Sequence, residues 1–243
     1  MDITLTFGDI VLEPTIVNSL LVVVGLTIFF IICSMVIKKA DPTKPSTGFM
    51  GLIEFVYSAL HDFTSNAIGD AALRFIPFVV TAVFYLAVAN LIGLLGLTAP
   101  TTNINITVAL AVITLLYIMF SGIFSKGLLR YLKDNYMGSV RGFLLVLFIP
   151  INIVGELSKI ISLSFRLFGN IVSGALLLTL VTGLLSWLFT VLVPLGGVVG
   201  GAFSVSLLPA LNAYFDIFAG LMQTFIFCTL TTMWIRAAVE SES

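Results

Sequence analysis

The chain has 243 residues, 59% hydrophobic and only 9% charged, with 11 Lys and Arg against 12 Asp and Glu and a formal net charge of −1. A soluble domain carries roughly 25% charged residues to cover its surface, so this composition belongs to a membrane and excludes the soluble enzyme classes. A near-zero net charge without a basic patch also argues against a nucleic-acid partner.

In chain order, the tail 1–15 has no Lys or Arg and carries Asp2, Asp9 and Glu13. That reverses the positive start of a signal peptide, so no cleaved targeting segment is expected. A membrane span needs about 20 mostly apolar residues. The first is 16–37, closed by Lys38-Lys39 and followed by the breaker-rich stretch 40–48. Segment 50–70 is different. Leu52, Phe55, Val56, Leu60 and Phe63 recur at helical spacing, while Glu54, His61, Asp62 and Asn66 interrupt; this is an amphipathic helix at the membrane surface. The single histidine, His61, reads as a surface residue of that helix.

The second span is 75–97, the uncharged linker 98–105 turns the chain back, and 106–124 is the third span. A basic loop follows at 125–142. The long apolar stretch 143–187 contains Glu156, Lys159 and Arg166; Pro194–Gly201 reads as a turn, and 205–235 is the last span. The fold expected is all-α: one polytopic membrane domain of about five transmembrane helices plus an interfacial amphipathic helix. Lys38, Lys39, Lys44, Arg74, Lys126, Arg130, Lys133, Arg141 and Arg236 all fall on one side of this arrangement. By the positive-inside bias the N-terminus lies outside and the C-terminus in the cytoplasm.

An arginine near the bilayer centre costs about 2.5–3.5 kcal/mol on insertion scales and normally faces protein or a wet cavity. Stepping by three and four residues gives Lys159, Ser162, Arg166, Asn170 and Ser173, one polar stripe on an apolar helix. Ile160, Ile161, Leu163, Leu167, Ile171 and Leu176 occupy the other faces. Such a stripe needs a polar partner, either another helix or water. A purely structural reading makes these charges helix locks, and Glu156 with Lys159, three apart, fits that role as well as a functional one. Arg166 has no acid three or four residues away, so local pairing fails and a functional role is favoured.

The last helix carries Asn212, Asp216, Gly220 and Gln223. Asp216 and Gln223 share a face, about 10 Å apart along the axis. Asp216 is either a neutral carboxyl bonded to Asn212 or a station on an ion path. Gln223 is expected beside Arg166, a hydrogen-bonding neighbour that leaves the charge intact. Cys33 and Cys228 lie far apart in apolar runs and read as small buried hydrophobes. No phosphate-binding loop, metal-ligand spacing or catalytic triad is present, so no metal, cofactor or catalytic residue is expected.

The run 156–170, ELSKIISLSFRLFGN, resembles the signature of subunit a of the rotary F-type ATP synthase in its bacterial form. Three further blocks are similar: Asn90-Leu-Ile-Gly-Leu-Leu-Gly96, Pro100-Thr-Thr-Asn-Ile-Asn105 with the residues after it, and the Gln223 block Leu221–Phe227. The resemblance implies a non-catalytic stator in the bacterial plasma membrane, facing a ring of c subunits, with peripheral-stalk b subunits and membrane lipid as its other neighbours. It implies two aqueous half-channels carrying H+ or Na+ to and from one carboxylate on each c subunit, with Arg166 between them. Glu156, Lys159, Asn170, Ser173, Asn212, Asp216 and Gln223 then line the route. The stretch 143–187 and the last span become tilted helices lying along the c ring.

Three positions depart from the family pattern. Ala175 stands where many members have Glu or His, Asp216 where His or Glu is common, and Ile160 where proline is frequent. The last leaves the local helix start open, and the first leaves Asp216 to serve the inlet half-channel with Asn170, Ser173 and Asn212. Two other classes stay in view. A secondary transporter predicts helices broken by paired Gly and Pro interruptions in two halves. A membrane scaffold predicts that removing the charge of Arg166 disrupts assembly.

Overall fold

In hydrocarbon every backbone N–H and C=O must be satisfied within its own segment, which leaves long apolar runs one option, the helix. The computed structural model describes residues 5–7, 10–39, 48–69, 72–137, 144–192 and 196–239, and helices fill nearly all of them. Helix α1 spans Pro14–Lys39. Pro14 stands at its first position, where the missing N–H has no helical partner to lose. Lys38 and Lys39 close it against the negative end of the helix dipole. Helix α2, Phe49–Ile68, is bounded by Gly48 and Gly69 at φ 64° and 78°, a conformation open to glycine.

Helix α3, Ala72–Leu91, tightens into a 3-10 turn at Ile92–Leu95 and stops at Gly96. A second short turn, Pro100–Thr102, leads to α4, Ile104–Lys126. The Asn103 side chain caps α4 by accepting from the Asn105 N–H at 2.9 Å. Its Nδ2 also donates to Thr15 Oγ1 at 3.0 Å and to Glu13, tying the starts of α1 and α4 together. Helix α5 is the short Leu128–Leu132, which runs into a π-turn at Lys133–Met137. Two long helices follow: α6, Leu144–Leu192, with 49 residues, and α7, Gly196–Val239, with 44. At 1.5 Å per residue these are about 74 and 66 Å long, so neither fits upright within a hydrocarbon core about 30 Å thick.

Among the described residues, five helical stretches are long and apolar enough to cross a membrane: Pro14–Lys39, Ala72–Leu95, Ile104–Lys126, Val146–Leu188 and Ala213–Val239. The structure is that of a polytopic helical membrane protein. Two details differ from expectation. The N-terminal tail pairs Leu5–Phe7 with Ile10–Leu12 as a small antiparallel hairpin, in the register Leu5 opposite Leu12. Gly8-Asp9 between two triplets of strand-forming residues, Leu5-Thr6-Phe7 and Ile10-Val11-Leu12, is the sequence signal for it. The expected turn at Pro194–Gly201 is helical from Gly196 onward, because glycine is tolerated in membrane helices far better than its rank in water suggests. Helix α6 runs without interruption through Ile160.

Among the described residues, two buried clusters hold the helices. Leu86, Ala111, Leu163, Leu167, Phe227 and Cys228 join α3, α4, α6 and α7. Ile68, Phe75, Ile118, Tyr131, Ile235 and Ala238 join α2 to α5 with the end of α7. A Cβ on Gly122 would stand 2.3 Å from the Tyr131 ring, so α4 admits that ring only because residue 122 has no side chain. Lipid tails are as apolar as leucine, so close approach and interhelical polar bonds weigh more here than burial. Asn18 supplies one such bond, its Nδ2 donating to Thr98 O at 2.9 Å, and the Ser19 and Tyr85 hydroxyls meet at 2.8 Å. Cys33 and Cys228 are buried free thiols.

Candidate functional site

Leu163 and Leu167 decide which way α6 faces. Both are buried, at 1% and 0% exposure, against α3, α4 and α7. The middle of the polar stripe is thereby turned away from the bundle, while Lys159 and Asn170 reach back to α7. Ser162, Arg166 and Ser173 are exposed, and beside them Ile161 and Phe165 are 57% and 60% exposed. Among the described residues Arg166 has neither an ion pair nor a hydrogen bond. A guanidinium stays protonated at any physiological pH, so a full positive charge stands on an apolar outer face with no counter-charge described within the chain.

Two turns earlier the opposite holds. Lys159 Nζ meets Glu156 Oε1 at 2.7 Å, with both side chains partly buried, and the ammonium lies 5.9 Å from the centroid of the Trp234 ring. Glu156 Oε2 is buried and has no hydrogen-bond partner among the described residues. Tyr131 and Tyr136 feel this carboxylate from the loop below. Burial, with Glu156 and Tyr136 adding to it, pushes the Tyr131 phenol up to about 12. Burial and Glu156 raise Tyr136 in the same direction. Asn152 Nδ2 donates to Tyr136 O at 3.4 Å, holding the loop against α6.

Asp216 lies elsewhere, in a cavity of about 100 Å³ between α3, α6 and α7. At roughly 30 Å³ per molecule the space accommodates about three waters. Asn90, Gly93, Asn170, Ala175 and Gly220 share its walls with Asp216. Asn170 Nδ2 donates across to Ala219 O on α7 at 3.0 Å, and Ser173 Oγ donates to Asn170 O at 3.0 Å. The small side chain of Ala175 leaves room where a titratable residue would fill it. The side chain of Asn212 lies outside the described residues.

The structure therefore brings Asn170 and Asp216 to one cavity, pairs Glu156 with Lys159, and leaves Arg166 on the outer surface between the two. Gln223 is 2% exposed, and its Nε2 has no partner among the described residues. The expected contact between Gln223 and Arg166 is not a hydrogen bond in this chain. Gln223 is buried within the bundle whereas Arg166 is exposed. Sequence reasoning passed over Asn90 and Thr101, which are 5% and 0% exposed at the cavity end of α3 and in the turn after it. The signal was available, since Asn90 is an amide inside an otherwise apolar span.

The sequence matches the family described as ATP synthase A chain over residues 17–236, a range that takes in every residue of the site. Among its relatives is ATP synthase subunit a of Campylobacter fetus subsp. fetus, 31% identical over 236 residues that cover 96% of this chain and 95% of the relative. ATP synthase subunit a of Mycoplasma pneumoniae is 31% identical over 215 residues, covering 86% of this chain and 73% of the relative. The protein of the same description from Syntrophobacter fumaroxidans is 30% identical over 239 residues, covering 97% and 88%.

Proposed function

The chain belongs to the ATP synthase A chain family, and from that premise we propose that it is the ion-conducting, non-catalytic stator of the membrane motor. In this reading the outer face of α6 meets a ring of c subunits, each carrying one membrane carboxylate. Peripheral-stalk b subunits and lipid cover other faces. The membrane is the bacterial plasma membrane, with the N-terminus outside and the basic loops in the cytoplasm.

The observation that carries the reading is the exposed, uncompensated Arg166. A ring carboxylate must be neutral to travel through lipid and ionised to exchange its cation. A fixed guanidinium favours the ionised form as each carboxylate arrives, so the cation leaves into the outlet half-channel. The same charge repels any cation attempting to pass directly from one half-channel to the other, which prevents a short circuit. The Asp216 cavity, with Asn170, Ser173 and Asn212 around it, serves as the inner end of the half-channel from outside. Glu156 and Lys159 line the half-channel toward the cytoplasm, and Gln223 backs the helix contact between them. Along α6, Glu156 is about 15 Å below Arg166 and Asn170 about 6 Å above it, so the guanidinium separates the two routes.

The transported ion is H+ by default, with Na+ the alternative, and its selectivity rests with the ring carboxylate. A secondary transporter would need broken helices in two halves, which the continuous α6 and α7 do not supply. The test is ATP synthesis by membrane vesicles carrying the intact complex with Arg166→Gln. The complex should assemble and hydrolyse ATP yet make none from an ion gradient. Undiminished synthesis would overturn the assignment.

A further inference from the structure

We propose that Asn90 is a positioning residue for Asp216, acting as a clamp that sets the register of α7 against α3. The inference rests on the reading of Asp216 as an ion station. Asn90 Nδ2 donates to Gly220 O at 3.3 Å, while its Oδ1 accepts from Thr101 Oγ1 at 2.8 Å. A carbonyl can only accept, so the NH2 end of the amide must face α7, and the buried Thr101 hydroxyl holds it in that orientation. Gly220 O also accepts from Thr224 Oγ1 at 2.8 Å.

The backbones meet at this point. A Cβ on Gly220 would stand 2.9 Å from Asn90 Cβ, closer than real side chains approach. Gly220 lies one helical turn after Asp216, and Gly93 nearly one turn after Asn90. The helices are antiparallel here, so the contact of Asn90 with Gly220 brings Gly93 opposite Asp216. A Cβ on Gly93 would accordingly lie 3.3 Å from Asp216 Oδ2. From the other side, Asn170 Nδ2 holds the adjacent carbonyl, Ala219 O, at 3.0 Å. Two amides on different helices thus grip consecutive carbonyls of α7, one turn from the carboxyl group, and fix both its rotation and its height.

No other titratable side chain among the described residues lines the cavity. Asn90 comes from α3, Gly93 from the 3-10 turn after it, Asn170 and Ala175 from α6, and the remaining walls carry no ionisable group. A slip of α7 therefore changes the surroundings of Asp216 alone, and this should appear in the dependence of transport on outside pH.

The test uses the whole complex in proteoliposomes, with ATP synthesis driven by an imposed gradient and the outside pH varied. Asn90→Ala and Gly220→Ala should each lower synthesis about tenfold and move the midpoint of the outside-pH dependence by about half a unit or more. Both act on one contact, so the double variant should be no worse than the worse single one. Thr101→Val, which adds no volume and removes only the orienting hydroxyl, should move the midpoint in the same sense by less; it carries the test if Gly220→Ala does not assemble. In an Asp216→Asn background, Asn90→Ala should move nothing further. A midpoint that is lost in Asp216→Asn yet unmoved in both Asn90→Ala and Thr101→Val overturns the clamp alone. An unchanged midpoint in Asp216→Asn overturns the station itself and the clamp with it.

Discussion

Neutralising two neighbouring cations of α6 should affect the stability of the chain in opposite ways. Lys159→Met breaks the 2.7 Å ion pair and leaves Glu156, whose side chain is 16% exposed, without its cation. Removing one partner of a fully buried pair costs about 3–5 kcal/mol; partial exposure lowers this to about 2 kcal/mol, with about 0.5 kcal/mol more from the lost contact of the ammonium with Trp234. For a chain of this length that corresponds to a fall in Tm of roughly 4–10 °C. Arg166→Met removes no bond within the described chain and relieves an insertion cost of about 2.5–3.5 kcal/mol, so Tm should hold or rise. The assay is thermal unfolding of the detergent-solubilised chain, wild type against both variants. A Tm for Arg166→Met that falls as far as that of Lys159→Met would show that the guanidinium is tied within its own chain, and the case for an outward-facing charge would collapse.

Gly122→Ala should cost about 1–3 kcal/mol, because its Cβ would lie 2.3 Å from the buried Tyr131 ring and 3.2 Å from Ala238 O; in a Tyr131→Ala background, itself destabilised, the further cost of Gly122→Ala in thermal unfolding should shrink. The Tyr131 phenol, at about 12, keeps its proton in the folded chain after an unfolded chain with the ordinary value of 10 has begun to release it. Its contribution to stability is therefore complete below pH 10 and lost as pH rises toward 12; Tyr131→Phe should flatten that alkaline decline, and an unchanged decline would assign it to other groups. ATP hydrolysis by the intact complex, and its sensitivity to a carboxyl-modifying carbodiimide, should be independent of Na+ at fixed pH, whereas protection by Na+ would replace H+ as the transported ion.

Much of the fold was legible because lipid removes alternatives. An uncharged run of 20 residues has to become a helix when no water is present to satisfy its backbone, and the Lys38-Lys39 pair marks an end by ordinary helix chemistry. Failures came where rules scaled to water were carried into the membrane. The glycines of 196–201 read as a turn, yet they open α7. The hairpin of the tail was missed because triplets are too short for a periodic pattern. Within the site, Arg166 and Asp216 announced themselves as charges in apolar surroundings. Periodicity defined the stripe of α6 but not the side of the bundle it faces, since that depends on which of several apolar faces packs. Leu163 and Leu167 take the interface with Phe227 and Cys228, which puts Arg166 on the outer face while Gln223 stays buried. The register of α3 on α7, which places Asn90 at Gly220, is written in no local pattern at all.

The division of charge along α6 follows from what an outward-facing cation must do. Lys159 lies only seven residues from Arg166, about 10 Å along the axis, and an uncompensated ammonium there would add a second attraction for any anionic group on a facing partner. Glu156 cancels it locally, and at that distance the pair acts as a dipole whose field falls off faster than that of a single charge. Arg166 is left as the dominant charge on its face. An acid bonded to it from within the chain would saturate the guanidinium and remove its preference for an incoming carboxylate. Asp216 makes no such bond; it is held in the cavity between α3, α6 and α7, opposite Gly93 and one turn from two anchored carbonyls. Keeping these two groups apart is thus as much a requirement of the proposed mechanism as having them both in the membrane. Packing by Leu163 and Leu167 and the grip of Asn90 and Asn170 on α7 are the contacts that maintain the separation.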